Sequence, residues 1–222
     1  MSGETLDALS LSVRVAVLAT LANAAVGVPL AWALARRRFR GRAFLDGLVD
    51  LPFAVSPIVI GLSLILVYGR TGWFGDWLSE NGIRVIFSTP GMVLATIFVS
   101  LPFVVREVVP TLRELGTDQE QAASTLGASP FQTFWRITLP SIRWAVGYGV
   151  VLTTARALGE FGAVSVVSGR LAGQTETLTL RVQNEYERFD LTGAYAASAL
   201  LAVMAVAVLL TMTLLERRRR AA

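Results

Sequence analysis

Five long apolar stretches alternate with shorter polar segments along the chain. A membrane-spanning α-helix needs about 20 mostly apolar residues. Five stretches reach that length, at residues 11–35, 48–68, 91–110, 144–167 and 192–215. The pattern predicts an all-α, polytopic membrane protein in which residues 1–222 form a single transmembrane domain with about five transmembrane helices.

The arginines gather at the ends of alternate apolar stretches. Five lie within Arg36–Arg42, four bracket the polar segment 111–143, and four close the chain at residues 217–220. By the positive-inside rule these three regions are cytoplasmic. We therefore expect a protein of the inner or plasma membrane with its N-terminus outside and its C-terminus in the cytoplasm. A cleaved signal peptide is the alternative for the first stretch, but its leader contains Glu4 and no basic residue.

The composition excludes most catalytic chemistry. The chain has 54% hydrophobic and 16% charged residues, and it lacks cysteine and histidine. Disulfides, thiolate nucleophiles, histidine-based triads and the usual zinc, haem and iron–sulfur ligand sets are therefore excluded. All 20 basic residues are arginine, which also excludes a phosphate-binding loop of the GxxxxGK[ST] type. We predict no catalytic residue, no metal and no cofactor, and any ATP would be hydrolysed by another polypeptide.

Two other function classes fit the charge pattern poorly. A net charge of +4 does not indicate nucleic-acid binding, because the arginines lie at the ends of apolar runs and not on one basic face. An intramembrane hydrolase would need a general base. Asp46 and Asp50 are one helical turn apart on the same segment, so they do not resemble two aspartates facing each other, and we interpret them as interface charges.

The polar segment 111–143 has the pattern of two short, capped helices. Gly116 ends one helical element, and Thr117 with Glu120 matches a capping box that starts the first short helix. Gly127 supplies the left-handed residue that terminates this helix.

The second short helix begins with Ser129 as its cap and Gln132 at the reciprocal position. It presents the aromatic residues Phe131, Phe134 and Trp135. A stiff hairpin of this kind is suited to docking a partner protein, and an amphipathic hairpin lying on lipid is the alternative.

Several residues of the polar segment 111–143 have a recognisable spacing. They are Gln121, Ala122, Ala123, Gly127, Ile137, Leu139 and Pro140. This spacing resembles the EAA motif of ATP-binding-cassette importer permeases, in which the loop is the coupling helix that sits in a groove of the cytoplasmic ATPase. The resemblance implies that these residues, with Glu120, couple the chain to an ATP-binding-cassette ATPase dimer. The glutamate of the family motif is Gln121 here, and Glu120 immediately precedes it.

Three further segments extend the resemblance over nearly the whole chain. Asp50–Pro57, Pro90–Thr96 and Gly159–Gly169 are similar to segments of sulfate, thiosulfate and molybdate permeases. The last segment is most similar to the W-type sulfate/thiosulfate permease. The resemblance implies import of a tetrahedral oxyanion by alternating access, with sulfate or thiosulfate favoured and molybdate or tungstate as the alternative.

The same resemblance implies two partners besides the ATPase and the lipid bilayer. One is a second permease subunit, identical or homologous, and the other is an extracytoplasmic oxyanion-binding protein. From a different class, an ATP-independent channel or secondary carrier is the competing interpretation, but it would not need the capped hairpin.

Two charged residues fall inside the fourth apolar stretch. Arg156 and Glu160 are four residues apart, which would place them on one helix face as an ion pair. They either line a translocation pathway or form a purely structural pair. In the second stretch Ser56 and Pro57 lie in a proline-broken segment, which is common around transport pathways. We include both as pathway candidates, with a packing kink as the alternative.

Overall fold

The computed structural model describes the backbone of residues 3–220 and the side chains of residues 3–214. The predicted cytoplasmic arginines 217–220 therefore lie outside the described side chains. Within this part of the chain every regular element is a helix and no strand occurs, which confirms the all-α class. The helices are α1 (Gly3–Arg36), α2 (Arg42–Ala54), α3 (Pro57–Tyr68), α4 (Gly75–Glu80), α5 (Thr89–Glu114), α6 (Asp118–Thr125), α7 (Pro130–Thr133), a π-helical segment (Phe134–Thr138), α8 (Leu139–Ser141), α9 (Arg143–Leu158), α10 (Gly162–Val167), α11 (Leu178–Glu187) and α12 (Leu191–Arg220).

Three helices are long and apolar enough to cross a membrane: α1, α5 and α12. A fourth candidate arises if α2 and α3 are counted together, but these two helices are bent by 117°. The second predicted span, 48–68, is therefore not one straight helix. The break lies at Val55 and Ser56, whose backbones are extended. It has a local cause, because a proline disfavours helical geometry at the preceding residue and can itself begin a helix, as Pro57 does here.

The fourth predicted span, 144–167, is also not one continuous helix. α9 ends at Leu158 after 16 residues, and α10 begins at Gly162. Sixteen helical residues rise about 24 Å, less than the roughly 30 Å of a bilayer core. The expectation that Arg156 and Glu160 share a helix face is wrong in this detail, because Glu160 lies in the break between the two helices.

Helix α1 packs along α5 and α9. Its buried positions are mostly small residues, which allow a close approach between helices. At Gly27 an added Cβ would lie 3.2 Å from Val104 Cγ1 of α5. Between the same two helices, the buried Asn23 side chain donates to Ser100 Oγ at 2.8 Å. We refer below to the two ends of the bundle as the Gly3 end and the Arg36 end, after the ends of α1.

Helix α12 is the least covered of the long helices. Only 6% of its most apolar window is buried, and it contacts α9 and α11 along one side. Its exposed apolar side chains include Val203, Leu209 and Leu210. A long helix that exposes apolar side chains over most of its surface fits an environment of lipid.

Candidate coupling and translocation sites

The segment after α5 folds into two short helices, α6 and α7, which we call the hairpin (residues 118–133). Gly127 has a φ angle of 85°, the left-handed geometry predicted for it, and Gly116, with φ of 64°, has the same geometry. Ser129 Oγ accepts from the Gln132 amide at 3.3 Å, and the Gln132 side chain accepts from the Ser129 amide at 3.0 Å. The predicted second capping box is therefore confirmed.

The predicted capping box of Thr117 and Glu120 is wrong. Thr117 Oγ1 instead accepts from Gln121 Nε2 at 2.8 Å. Glu120 turns toward the end of α1, where its Oε2 lies 3.1 Å from Nε of Arg36. Its Oε1 accepts from Thr138 Oγ1 at 2.9 Å. In this position the Glu120 carboxylate gains an oppositely charged partner and a hydroxyl donor, and the local capping box would supply only a backbone amide.

The residues that match the EAA motif divide between two faces of the hairpin region. The exposed ones are Gln121, Ala122, Gly127 and Pro140. Ile137 and Leu139 are half-buried, and Ala123 is only 7% exposed. Ala123, which the resemblance places among the coupling residues, therefore faces the interior of the chain and is not part of the exposed face. Ala122 remains on the exposed face.

Three large apolar side chains project from the same region into solvent. Leu126 is 88% exposed, Phe131 72% and Trp135 52%. The rings of Phe131 and Trp135 lie 6.0 Å apart in an edge-on arrangement. Large apolar side chains exposed in this way mark a surface for contact with another protein or with lipid. The sequence pattern identified the two aromatic residues but not Leu126.

The break between α9 and α10 holds an ion pair. Arg156 Nη2 lies 2.6 Å from Glu160 Oε2, and the Glu160 side chain is 1% exposed. Glu160 Oε1 accepts from the Ala163 amide at 2.8 Å. The carboxylate therefore caps the first turn of α10 in addition to neutralising Arg156.

The pathway candidates of the second and fourth apolar stretches meet at one junction. The short helix α10 packs directly against α3. A Cβ added at Gly162 would lie 2.9 Å from Pro57 Cβ, so the starts of the two helices are in contact. Ser56 precedes this contact and is exposed, without a capping hydrogen bond from its side chain. Both broken stretches thus begin their second helices side by side.

A second charged group joins α2 to α5 at the Arg36 end. Arg106 Nη1 lies 3.1 Å from Asp46 Oδ1, and Arg106 Nε donates to Asp50 Oδ1 at 2.7 Å. Both aspartates of α2 therefore bind an arginine of α5. Sequence reasoning missed this cluster because Arg106 is 56 or more residues away from either aspartate.

At the Gly3 end, the buried Arg181 of α11 is the centre of a charge cluster. Its guanidinium lies 2.7 Å from Glu185, 3.2 Å from Glu176 and 3.1 Å from Glu4 of α1. Burial acts to lower the pKa of Arg181, but the carboxylates outweigh it and raise this pKa above its ordinary value. These side chains join two helices and are not a free charged surface.

The chain is similar to a family model and to known permeases over most of its length. The family model described as "Binding-protein-dependent transport system inner membrane component" matches residues 27–221. The chain is 53% identical over 212 residues to the sulfate transport system permease protein CysW of Synechococcus elongatus, covering 96% of this chain and 74% of that protein. It is 49% identical over 215 residues to CysW of Escherichia coli K12, covering 97% and 74%.

A solved structure agrees with the fold. It is a bacterial alginate ABC transporter in complex with an alginate pentasaccharide-bound periplasmic protein. The match has a TM-score of 0.78 at 18% identity and covers 98% of this chain and 80% of that chain. Taken with the residues that the family model covers, the helical bundle and its hairpin show that this chain belongs to the inner membrane components of binding-protein-dependent transport systems.

Proposed function

We propose that this chain is the membrane-spanning permease subunit of an ATP-driven importer for sulfate or thiosulfate. The observation that supports this most strongly is the identity of 49–53% with sulfate permeases over nearly the whole chain. The matched residues cover 96–97% of this chain, so the match includes the hairpin and the α3–α10 junction, which we expect to serve coupling and translocation.

In this proposal the hairpin docks on a separate ATP-binding-cassette ATPase dimer. Leu126, Phe131 and Trp135 provide the apolar contact, with Ala122 and Gln121 beside them on the exposed face. ATP is hydrolysed on the ATPase, and its closure moves the hairpin. The chain has no lysine and therefore no phosphate-binding loop of the GxxxxGK[ST] type.

The proposed topology has five membrane crossings, formed by α1, the pair α2–α3, α5, the pair α9–α10, and α12. The arginine-rich Arg36 end faces the cytoplasm, which leaves the N-terminus outside and the C-terminus inside. Two broken crossings that meet at Pro57 and Gly162 fit a translocation pathway, because non-helical backbone at membrane depth is tolerated where protein or water satisfies it.

The substrate would reach this junction from outside, delivered by an extracytoplasmic binding protein. The alginate transporter with the same fold was solved in complex with such a periplasmic protein. A chain of this size encloses a pathway only with a second permease subunit, identical or homologous. Arg156 and Glu160, with Ser56 and Pro57, are the residues that we propose line the pathway.

Radiolabelled sulfate uptake tests the proposal. A strain that lacks its own permease gene for this subunit is complemented with the chain, and uptake of sulfate and of molybdate is measured in parallel. We expect ATP-dependent sulfate uptake that excess thiosulfate competes for, and none with an Ala122→Arg variant that inserts normally. Molybdate uptake without sulfate uptake would contradict the proposed substrate, and uptake that persists without the ATPase would contradict the proposed class.

A further inference from the structure

Helix α1 is tied to the hairpin at the Arg36 end. The Arg36–Glu120 ion pair leaves only 10% and 19% of the two side chains exposed. Thr138, from the π-helical segment that follows the hairpin, donates to the same carboxylate. Since the pair is largely desolvated, loss of either side chain would leave the other charge uncompensated.

The opposite end of α1 is tied to α11. The Leu178 amide at the start of α11 donates to Ser12 Oγ of α1 at 2.7 Å, and both groups are buried. Glu4 of α1 binds Arg181 in the cluster described above. These contacts fix the Gly3 end of α1 to the first turn of α11.

The start of α11 in turn contacts the break between α9 and α10. Thr179, the residue after Leu178, donates through Oγ1 to the Glu160 carbonyl at 3.0 Å. Glu160 is the partner of Arg156. A continuous series of contacts therefore runs from the hairpin, along α1, to the ion pair at the α3–α10 junction.

Between these ends α1 is one uninterrupted helix of 34 residues, which is about 51 Å in length. It remains helical through Pro29. Buried polar contacts from Asn23 to Ser100 and from Thr20 to Thr154 hold it against α5 and α9. A helix packed in this way moves with little internal deformation.

We propose that α1 is the rigid link that transmits movement of the hairpin to the Arg156–Glu160 junction, with Arg36 and Ser12 as positioning residues at its two ends. The inference rests on the proposed function, in which the hairpin is moved by the ATPase. Contiguous contacts alone do not establish transmission, so the test measures coupling and not only stability.

The first arm of the test uses Arg36→Gln in the complete transporter, reconstituted in proteoliposomes with its ATPase, partner permease and sulfate-loaded binding protein. The measured quantity is sulfate imported per ATP hydrolysed. We expect this ratio to fall about fivefold or more, while the ATPase still copurifies in normal amount. The matched control is Arg38→Gln, an exposed arginine two residues away, which should leave the ratio unchanged.

Charge exchange separates transmission from folding. The double variant Arg36→Glu with Glu120→Arg keeps an ion pair between the same positions with reversed sign. We expect it to recover most of the import ratio that either single reversal loses. If the double variant folds and docks but does not recover, the inference is overturned.

The second arm removes the tie at the Gly3 end, far from the hairpin. Ser12→Ala should lower the import ratio without changing ATPase binding, because the lost bond connects α1 to α11. Ser10→Ala is its control, since Ser10 Oγ bonds only to the Asp7 carbonyl of its own helix.

The outcomes of the two arms are distinct. A normal ratio in both Arg36→Gln and Ser12→Ala overturns the inference while the proposed function stands. Loss of ATPase copurification in Arg36→Gln also overturns it, because the pair would then only shape the docking surface. If the wild-type complex imports no sulfate, the proposed function fails, and the inference fails with it.

Discussion

Arg156 and Glu160 form an ion pair in which the carboxylate has two partners. One oxygen of Glu160 lies 2.6 Å from the Arg156 guanidinium, and the other accepts from the Ala163 amide at the start of α10. Glu160 therefore neutralises a charge and begins a helix at the same time. Two leucines at these positions would remove the charges but would also leave the first turn of α10 without its cap.

Glutamine and leucine at position 160 should consequently differ. Glu160→Gln keeps an acceptor for the Ala163 amide, whereas Glu160→Leu loses it. We expect Glu160→Leu to lower the free energy of unfolding by about 1 kcal/mol more than Glu160→Gln does, measured by thermal unfolding in detergent. Equal melting temperatures for the two variants would contradict the capping function.

The double variant Arg156→Leu with Glu160→Gln tests the pathway. It removes both charges and keeps the cap, so it should fold in good yield. If Arg156 conducts the anion, sulfate uptake by this variant should be weak although the protein is present in the membrane. Normal uptake by a well-folded double variant would show that the pair stabilises the fold and does not conduct the anion.

The sequence predicted best the parts of the molecule that depend on local pattern. The length of the apolar stretches located α1, α5 and α12, and Ser129 with Gln132 formed the cap that their spacing indicated. The prediction from sequence was wrong where a residue distant in the chain competes with a local group for the same side chain. The Glu120 side chain binds Arg36, which lies 84 positions earlier in the chain, and does not form the local capping box.

The break after Leu158 shows a second limit of the sequence. The surrounding residues 144–167 are apolar enough for a continuous span, and no proline marks the interruption. The helix ends where Glu160 finds partners in Arg156, in the Ala163 amide and in Thr179 from α11. Thr179 lies close to Glu160 only because of the tertiary arrangement.

Ala122 and Ala123 should respond differently to the same substitution, although they are neighbours. Ala123 is buried, so Ala123→Arg should lower folded yield by forcing a charge against the hairpin interior. Ala122 is exposed, so Ala122→Arg should leave yield unchanged and block copurification with the ATPase. Yield by fluorescence-detected chromatography and copurification by affinity capture distinguish the two effects. A normal yield for Ala123→Arg would contradict the observed burial.

Gln121 offers a test of charge at the docking face. The side chain is exposed and bonds only locally, to Thr117. Gln121→Glu restores the residue of the family motif and should be tolerated or mildly improve coupling, whereas Gln121→Arg should weaken association with the ATPase. Association is measured by copurification at low and high salt. If the arginine variant bound as well as wild type, docking would not involve this position.

Phe189 is held in the left-handed region, with φ of 62°, while its side chain is 90% exposed. This geometry costs a residue other than glycine about 1 kcal/mol, and the exposed ring gains little packing in return. Phe189→Gly should therefore raise the melting temperature. Gly82, with φ of 66° and open space at its Cβ position, is the converse control, and Gly82→Ala should lower it. A destabilising effect of Phe189→Gly would indicate that the ring has a contact in the membrane.

The contact between α3 and α10 depends on two glycines. A Cβ at Gly61 would lie 2.8 Å from the Ala163 carbonyl oxygen, and one at Gly162 would lie 2.9 Å from Pro57 Cβ. Because the first obstacle is backbone, Gly61→Ala should force the helices apart and cost about 1–3 kcal/mol.

Gly147 of α9 is the matched control, because nothing lies within 4 Å of its Cβ position. Gly147→Ala should be neutral or stabilise the helix by up to about 1 kcal/mol. If the α3–α10 contact also forms the pathway, Gly61→Ala should reduce sulfate uptake more than its loss of folded protein explains, whereas Gly147→Ala should not. Uptake per folded molecule that is equal in the two variants would mean that the contact stabilises the fold without shaping the route of the anion.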